Sequence, residues 1–175
     1  MPATANPLNY QIGKGTIVFT PTGGAAQDLG NAPEVEITPT VDKLAHYSSR
    51  AGIQSKDREV VRRQEFACRV VLDEIIAENL QLLLLGGAIS PSTAGNDSFV
   101  MGANTQITGA LVFTGTNEVG NKVIVTMPSV SFGPSGSLQL ISDEWNQIEI
   151  TAEVLYDETI QGFGTVEIEE VAVPT

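Results

Sequence analysis

The residues best suited to chemistry are pairs of acidic side chains. Glu34 and Glu36 lie two positions apart, and Glu149 and Glu153 lie four apart in a segment of alternating polarity. Two carboxylates can act as the acid and the base of a glycosidase. However, even spacings along a strand place side chains on the same face, so one solvated face explains these acids equally well. The single tryptophan, Trp145, provides no evident aromatic platform for a sugar.

His46 and Cys68 lack the surroundings that catalysis needs. No serine or carboxylate partner of His46 is identifiable by spacing, so we interpret it as a residue that orders a turn or a subunit contact. Cys68 lies on the apolar side of an alternating segment and is expected to be a buried thiol. The segment Gly13-Lys-Gly-Thr16 lacks the upstream glycine and the following helix of a phosphate loop. One histidine and one cysteine also build no metal cluster, so we predict no enzyme activity, no cofactor and no metal site.

Length and composition indicate one globular domain rich in β-structure. The chain has 175 residues, and its 17 glycines and nine prolines fall mostly between runs of alternating polarity. We expect residues 1–10 to form a flexible N-terminal arm and residues 11–175 to form the single domain. The chain has neither a basic start followed by an apolar run nor a stretch long enough to span a bilayer. We therefore predict no signal peptide and no contact with a membrane.

The chain is organised around a strand, a charged hairpin and a second strand, followed by a helix. Pro33–Asp42 and Val60–Leu72 both show the period of two that a half-buried strand has. Residues 48–63 between them are polar and rich in opposite charges, which predicts a long charged hairpin loop. A helix is predicted over Asp73–Leu85, with Asp73 as its N-cap. Its apolar face is expected to contain Ile76, Leu80, Leu83 and Leu84.

Further strands are predicted on both sides of this unit. They cover Gly15–Phe19, Ile107–Thr114, Lys122–Phe132, Ser137–Ile141, Asn146–Tyr156 and Gly164–Val171. Pro128 predicts an edge or a bulge because proline has no backbone N–H to donate to a neighbouring strand. Roughly eight strands and one helix favour a mainly β fold, in the form of a β-sandwich or partly closed barrel with one flanking α-helix.

The basic residues are concentrated in the central hairpin of an otherwise acidic chain. The net charge is −12, from 21 acidic and nine basic residues. Six of the nine basic residues are Arg50, Lys56, Arg58, Arg62, Arg63 and Arg69. This distribution has two interpretations: a solvated loop on an acidic protein, or a basic element of one copy that docks onto an acidic rim of the next.

Several segments resemble the tail tube (major tail) proteins of long-tailed bacteriophages. The segments that carry the resemblance are Gly15-Thr-Ile-Val-Phe-Thr-Pro-Thr-Gly-Gly24, Asp28-Leu-Gly-Asn31, Glu34-Val-Glu-Ile37, Leu44-Ala-His-Tyr-Ser-Ser49 and Leu72-Asp73 leading into Glu78-Asn-Leu80. They cover roughly residues 10–87, about half of the chain, and the second half is similar in strand pattern alone. Related tube proteins occur in contractile tails and in type VI secretion.

The resemblance implies a β-sandwich or barrel with a flanking helix, in subunits that close hexameric rings and stack into a hollow tube. It also implies synthesis in the host cytoplasm, a place in the virion tail, and contacts with the tape measure and tail terminator proteins. Phage DNA would pass through the lumen without specific binding. The residues predicted to face that lumen are Glu34, Glu36, Arg69, Glu149, Thr151 and Glu153. The residues predicted to stack successive rings are Arg50, Lys56, Asp57, Arg58, Glu59, Arg62 and Arg63.

A second hypothesis is a monomeric acidic β-sandwich that uses the hairpin at residues 48–63 to bind nucleic acid or a partner protein. Asp57 and Glu59 dilute the positive charge of that hairpin, and its aromatic residues are confined to Tyr47 and Phe66 at its bases, which weakens the nucleic-acid version. A hydrolase of the β-sandwich type is a third hypothesis. Self-assembly into rings or tubes would distinguish the first hypothesis from the other two.

Overall fold

The strands that the structure describes form one antiparallel sheet. The structure is a computed structural model, and it describes residues 9–50, 52–91 and 95–169. The strands in these ranges are β1 (Gly15–Pro21), β2 (Gln27–Asp28), β3 (Glu34–Ser48), β4 (Ser55–Leu72), β5 (Ile107–Gly115), β6 (Lys122–Phe132), β7 (Ile148–Val154) and β8 (Thr165–Glu169). The helix α1 covers Ala77–Leu84. The strand order along the sheet is β2-β1-β5-β6-β7-β4-β3, and β8 pairs with β6 beside that path.

The described part of the chain is mainly β with one helix, as the sequence predicted. The sheet is not closed into a barrel, because β2 and β3 lie at its two ends and do not pair with each other. Residues 1–8 of the predicted N-terminal arm, and residues 170–171 of the last predicted strand, lie outside the described residues. No helix in the described ranges is long and apolar enough to cross a membrane.

Pro128 marks the place where β6 changes its partner. Gly109 lies opposite Val130 and Leu111 lies opposite Met127, so two residues of β6 face one residue of β5 at Pro128. This is the predicted bulge, and it occurs where proline cannot donate a ladder hydrogen bond. Before the bulge the other edge of β6 pairs with β8, and after it that edge pairs with β7.

One hydrophobic core joins side chains from five strands and the helix. The inward side of β7 is formed by Ile148, Ile150, Ala152 and Val154, as its alternation predicted. The strand is shorter than predicted, however, and Tyr156, whose parity also predicts an inward side chain, lies beyond its end and is exposed. The rings of Phe19 in β1 and Phe132 in β6 meet edge to face, with centroids 5.0 Å apart. Cys68 is fully buried in this core, and burial raises the pKa of its thiol to about 11 because the thiolate is poorly solvated there.

The helix begins later than predicted, and Asp73 is not its N-cap. Ile76 occupies the cap position and makes no side-chain hydrogen bond to the helix. Asp73 and Glu74 are held instead by the loop that precedes β3. The side-chain amide of Asn31 donates to a carboxylate oxygen of Asp73 at 2.7 Å, and its backbone N–H donates to Glu74 at 2.8 Å. These long-range hydrogen bonds keep the two acids out of the first turn.

The buried face of α1 contains a polar residue that the sequence pattern did not reveal. Asn79 is fully buried, and its amide donates to the backbone carbonyls of Leu29 at 3.0 Å and Glu74 at 2.9 Å. It therefore ties the loop after β2 to the turn before the helix. The predicted apolar face is correct only in part: Leu83 is buried, Leu80 and Leu84 are half-buried, and Ile76 is exposed.

The strand predicted at Ser137–Ile141 is absent, and this segment is irregular. The preceding residues explain why. The hydroxyl of Ser135 accepts the backbone N–H of Thr151 at 3.0 Å, and a Cβ on Gly136 would lie 2.4 Å from the carbonyl oxygen of Glu149. The chain at Ser135 and Gly136 thus lies close against the backbone of β7 and passes across it, and the residues that follow do not pair with β7 as a strand.

β3 and β4 continue far beyond the core as a two-stranded ribbon. Their register runs from Glu34 opposite Val71 to Ser48 opposite Ser55. The predicted loop over residues 48–63 is therefore wrong in extent, because residues 55–63 belong to β4. We call residues 42–63 the hairpin arm, and none of its described residues is buried.

Two bulges explain why the sequence concealed this ribbon. The register passes from Asp42–Arg63 to Lys43–Val61, which leaves Arg62 as an extra residue in β4. A second shift between His46 and Tyr47 leaves Asp57 as another extra residue. Each bulge moves the alternation of side chains by one position, so the period of two is lost across it.

The close packing of β1 on β5 can be tested at Gly109. A Cβ at this position would lie 2.2 Å from the carbonyl oxygen of Thr20 and 2.7 Å from the ring of Phe19. Gly109→Ala should therefore destabilise the protein by about 1–3 kcal/mol, because the backbone of β1 must move. Urea unfolding followed by circular dichroism measures this loss. Gly133→Ala is the matched control, since nothing lies within 4 Å of its new Cβ; an equal loss in both variants would contradict the packing.

Candidate interaction surfaces

The residues predicted to face a lumen all lie on one face of three neighbouring strands. Arg69 in β4 lies opposite Glu36 in β3 and opposite Thr151 in β7. The neighbouring cross-strand rows on the same face contain the other members of the set. The complete set, which we call the acidic face, is Glu34, Glu36, Arg69, Glu149, Thr151 and Glu153. That this face lines a lumen stays a prediction.

Arg69 connects the three strands of the acidic face electrostatically. Its guanidinium lies 2.7 Å from a carboxylate oxygen of Glu34 and 2.7 Å from one of Glu149, and Glu36 is 3.9 Å away. The hydrogen bond with Glu149 raises the pKa of Arg69 and lowers the pKa of Glu149, because each charge stabilises the other. Glu34 adds a second hydrogen bond that raises the pKa of Arg69 further. Solvent screening weakens all of these pairs, which are partly exposed.

The acidic face keeps an excess of negative charge. Its four carboxylates belong to Glu34, Glu36, Glu149 and Glu153, and its one cation is Arg69. Glu153 is exposed and has no ion pair with a described basic residue. Such a surface repels polyanions, since binding DNA requires lysine or arginine side chains that neutralise phosphates.

The two bulged residues of the hairpin arm each contact a polar side chain across the ribbon. Arg62 lies 3.9 Å from Asp42, and Asp57 lies 2.6 Å from Nδ1 of His46. His46 therefore has a carboxylate partner that spacing did not identify. Both side chains of that pair are exposed, and the contact spans the bulge at which Asp57 is the extra residue.

Half of the remaining charges of the hairpin arm are also paired within it. Glu59 contacts Lys43 at 2.9 Å and also contacts Lys56. Of the predicted stacking residues, Lys56, Asp57, Glu59 and Arg62 are thus engaged inside the arm. Arg50, Arg58 and Arg63 are exposed and form no ion pair with a described carboxylate. These three arginines are the charges of the arm that are open to a partner.

The hairpin arm also exposes apolar side chains, which sequence analysis missed because it treated the segment as a polar loop. The large apolar residues exposed on it are Leu44, Tyr47, Ile53, Val60 and Val61. A two-stranded ribbon whose faces are both exposed to solvent normally carries polar residues on both faces. Leu44 and Val60 are cross-strand neighbours, and exposed apolar groups that adjoin in this way are typical of interaction surfaces.

A second exposed patch lies between β6 and β7. The segment 139–147, which we call the acidic loop, exposes Leu140, Ile141 and Trp145 beside Asp143 and Glu144. A backbone N–H of Glu144 donates to the hydroxyl of Ser142 at 3.0 Å, which braces the turn. No group of three or more histidine, cysteine, aspartate or glutamate side chains among the described residues is arranged to hold a metal ion.

The surfaces define a mainly β protein with an acidic face and a projecting basic arm. A family model described as "Protein of unknown function UCP028589" matches residues 10–98 and 88–165. These matches cover most of the chain, so the protein belongs to that family. No curated protein matches it.

The charge network of the acidic face predicts a pH-dependent loss of stability in Arg69→Gln. The pKa of Glu149 is lowered in the folded protein, so its contribution is present above the unfolded value of about 4.3 and is lost as pH falls through the lower folded value. We therefore expect a lower Tm than the wild type at pH 7 and a difference that shrinks below about pH 4. Thermal unfolding at several pH values measures this.

Arg63→Gln is the matched control for Arg69→Gln. Arg63 lies in the same strand and is exposed, but it has no ion pair with a described carboxylate. Both variants lose one positive charge, so a difference between their Tm values reports on the contacts that each substitution removes. An equal Tm loss in both, or a loss at position 69 that is unchanged at low pH, would contradict the network.

Proposed function

We propose that this protein is a structural virion protein that assembles the hollow tail tube of a long-tailed bacteriophage. Its subunits close rings, hexameric as the resemblance implies, and the rings stack around a lumen that passes DNA during ejection. It is made in the host cytoplasm, functions in the virion tail and has no catalytic activity. Its partners are other copies of itself, together with the tape measure and tail terminator proteins.

The hairpin arm is the observation that carries this proposal. An isolated two-stranded hairpin is marginally stable in water, and this one has no buried residue among those described. Three of its arginines and several apolar side chains have no partner among the described residues that would bury or neutralise them. In a stacked assembly, neighbouring copies would bury these apolar side chains and neutralise these arginines.

The acidic face supports the assignment of a lumen. A channel that passes DNA must not retain it, and four carboxylates beside one guanidinium repel phosphates. The ion pairs of Arg69 with Glu34 and Glu149 connect side chains of three strands across neighbouring rows of the sheet. A rigid and negatively charged lining is the property that unhindered passage requires.

Electron microscopy of the purified protein at high concentration, with mass measured by light scattering, tests the proposal. Rings or hollow tubes of uniform width are the expected result. A monomer at every concentration, including in the presence of a tail extract that nucleates assembly, would contradict it.

A trimmed hairpin arm separates assembly from folding. We would replace residues 45–59 by Asn-Gly, because Leu44 lies opposite Val60 and this dipeptide closes a two-residue hairpin. None of the described residues that are removed is buried, so the free energy of unfolding should stay within about 0.5 kcal/mol of the wild type. Electron microscopy should show that long tubes no longer form. Normal tubes from the trimmed protein would exclude a stacking role for the arm.

The assignment of the lumen predicts a size-dependent pattern of carboxylate labelling. Carbodiimide coupling to glycine amide should modify the carboxylates of the acidic face in both free subunits and tubes. Coupling to an amine polymer too large for the lumen should modify them in free subunits alone. Peptide mapping by mass spectrometry identifies the labelled acids. Polymer coupled to Glu34, Glu36, Glu149 and Glu153 in intact tubes would place this face on the exterior.

A monomeric binding module remains the second candidate function. It is favoured by Arg50, Arg58 and Arg63, which are exposed and have no described acidic partner. A protein of this kind would stay monomeric and bind DNA with an affinity that falls steeply with salt. The acids Asp57 and Glu59 within the arm count against strong binding to nucleic acid.

A further inference from the structure

We infer that the tip of the hairpin arm of one copy docks onto the acidic loop of a second copy. This inference rests on the proposed self-assembly and names the two surfaces that meet. One surface is basic with exposed apolar residues, and the other is acidic with exposed apolar residues. Neither the resemblance nor the family assigns a role to the acidic loop.

The acidic loop forms an open depression that suits a basic and apolar partner. Its volume is about 830 Å³, and Asp73, Asp143 and Glu144 provide three carboxylates along it. The apolar residues are unusually accessible: Leu140 is 79% exposed, Ile141 is 90% exposed and Trp145 is 97% exposed. Acids beside a tryptophan and two aliphatic side chains can bind an element that presents arginine or lysine together with apolar groups.

The tip of the hairpin arm has the complementary composition. Ile53 is 87% exposed and lies between Arg50 and Lys56 in the chain. Tyr47, opposite Lys56 in the ribbon, is also exposed. Residues 42–63 contain six basic and three acidic residues, so the arm carries an excess of positive charge. Because the rest of the chain has eighteen acidic and three basic residues, attraction between copies favours contacts through the arm.

The two surfaces lie at opposite ends of the same strands, so one copy cannot join them itself. The acidic loop leads into Ile148, which lies opposite Leu72 at the base of β4. The tip of the arm begins at Ser48, fourteen residues along β3 from Glu34. At a rise of about 3.3 Å per residue, this distance is about 45 Å. The partner must be another molecule that is displaced along the direction of the strands.

This arrangement makes the contact head-to-tail. Each copy presents an arm at one end and an acidic loop at the other, so bound copies leave both kinds of surface available for further growth. The carboxylates of the acidic loop disfavour a nucleic-acid occupant, which carries the same charge. A second copy supplies both the cations and the apolar groups that the loop lacks.

Trp145 reports directly on the proposed contact, because it is the single tryptophan of the chain. Its emission should shift to the blue and become protected from acrylamide quenching as the wild-type protein assembles. The trimmed arm should abolish both changes. Assembly of the wild type with unchanged emission and quenching would overturn the contact while leaving the proposed function intact.

Charge reversal provides a matched set of variants. Arg50→Glu with Arg58→Glu makes the arm acidic, and Asp143→Lys with Glu144→Lys makes the loop basic. Each double variant alone should lose assembly, because its two surfaces then repel each other. An equimolar mixture should regain assembly, since the acidic arm of one variant can bind the basic loop of the other, and the basic arm of the second can bind the acidic loop of the first. The quadruple variant should also assemble. Failure of both the mixture and the quadruple variant to recover would overturn the inference.

Disulfide cross-linking tests the contact without requiring long tubes. Ile53→Cys and Ile141→Cys, carried by separate copies, should form a mixed dimer under mild oxidation. Ile53→Cys mixed with Val100→Cys is the control, because Val100 is also exposed but lies outside the acidic loop. Native Cys68 is buried and does not compete. A cross-link without tubes would support the contact and count against a tail tube, whereas cross-linking at the control level would overturn the contact.

Discussion

The structure depends on β4, which has a neighbouring strand on each side along one part of its length and on one side along the rest. β4 pairs with both β3 and β7 over Phe66–Leu72, where its inward side chains enter the core. Over Ser55–Glu65 it pairs with β3 alone, and both faces of the ribbon meet solvent. The backbone groups that point across the ribbon are paired between β3 and β4, while those on its outer edges have no neighbouring strand among the described residues. Its side chains, however, lack the burial that stabilises the rest of the sheet.

The residues that form the hydrophobic core are therefore distinct from the residues that are available to other molecules. The core is assembled from five strands and α1, and the buried Asn79 locks the loop after β2 to the start of that helix. The hairpin arm and the acidic loop contribute nothing to the core and expose apolar side chains beside opposite charges. Exposed apolar groups of this kind lower the solubility of an isolated chain, and the contacts between copies that we propose would cover them.

Electrostatics acts at two length scales in this protein. Within the subunit, Arg69 is shared by carboxylates from β3 and β7, and these partly exposed pairs orient side chains more than they stabilise the fold. Across the whole molecule, the basic residues are concentrated in the hairpin arm while the remainder is acidic. The second distribution favours encounters in which the arm of one copy approaches the acidic end of another.

Local sequence determined the strands whose side chains alternate without interruption. The buried face of β7 follows from its pattern, because each residue's exposure there depends on its own parity. The bounds of β6 were also predicted, although the bulge at Pro128 interrupts its alternation. The tertiary structure decided what depends on distant partners. The side chain of Asn31 binds the carboxylate of Asp73, which therefore does not cap the helix. The bulges at Arg62 and Asp57 shift the alternation of side chains, so the ribbon could not be predicted from a period of two. The members of the acidic face were predicted as one set, but only strand register brought Glu34, Glu36 and Glu149 around the guanidinium of Arg69, since pairing between strands is a property of the whole sheet.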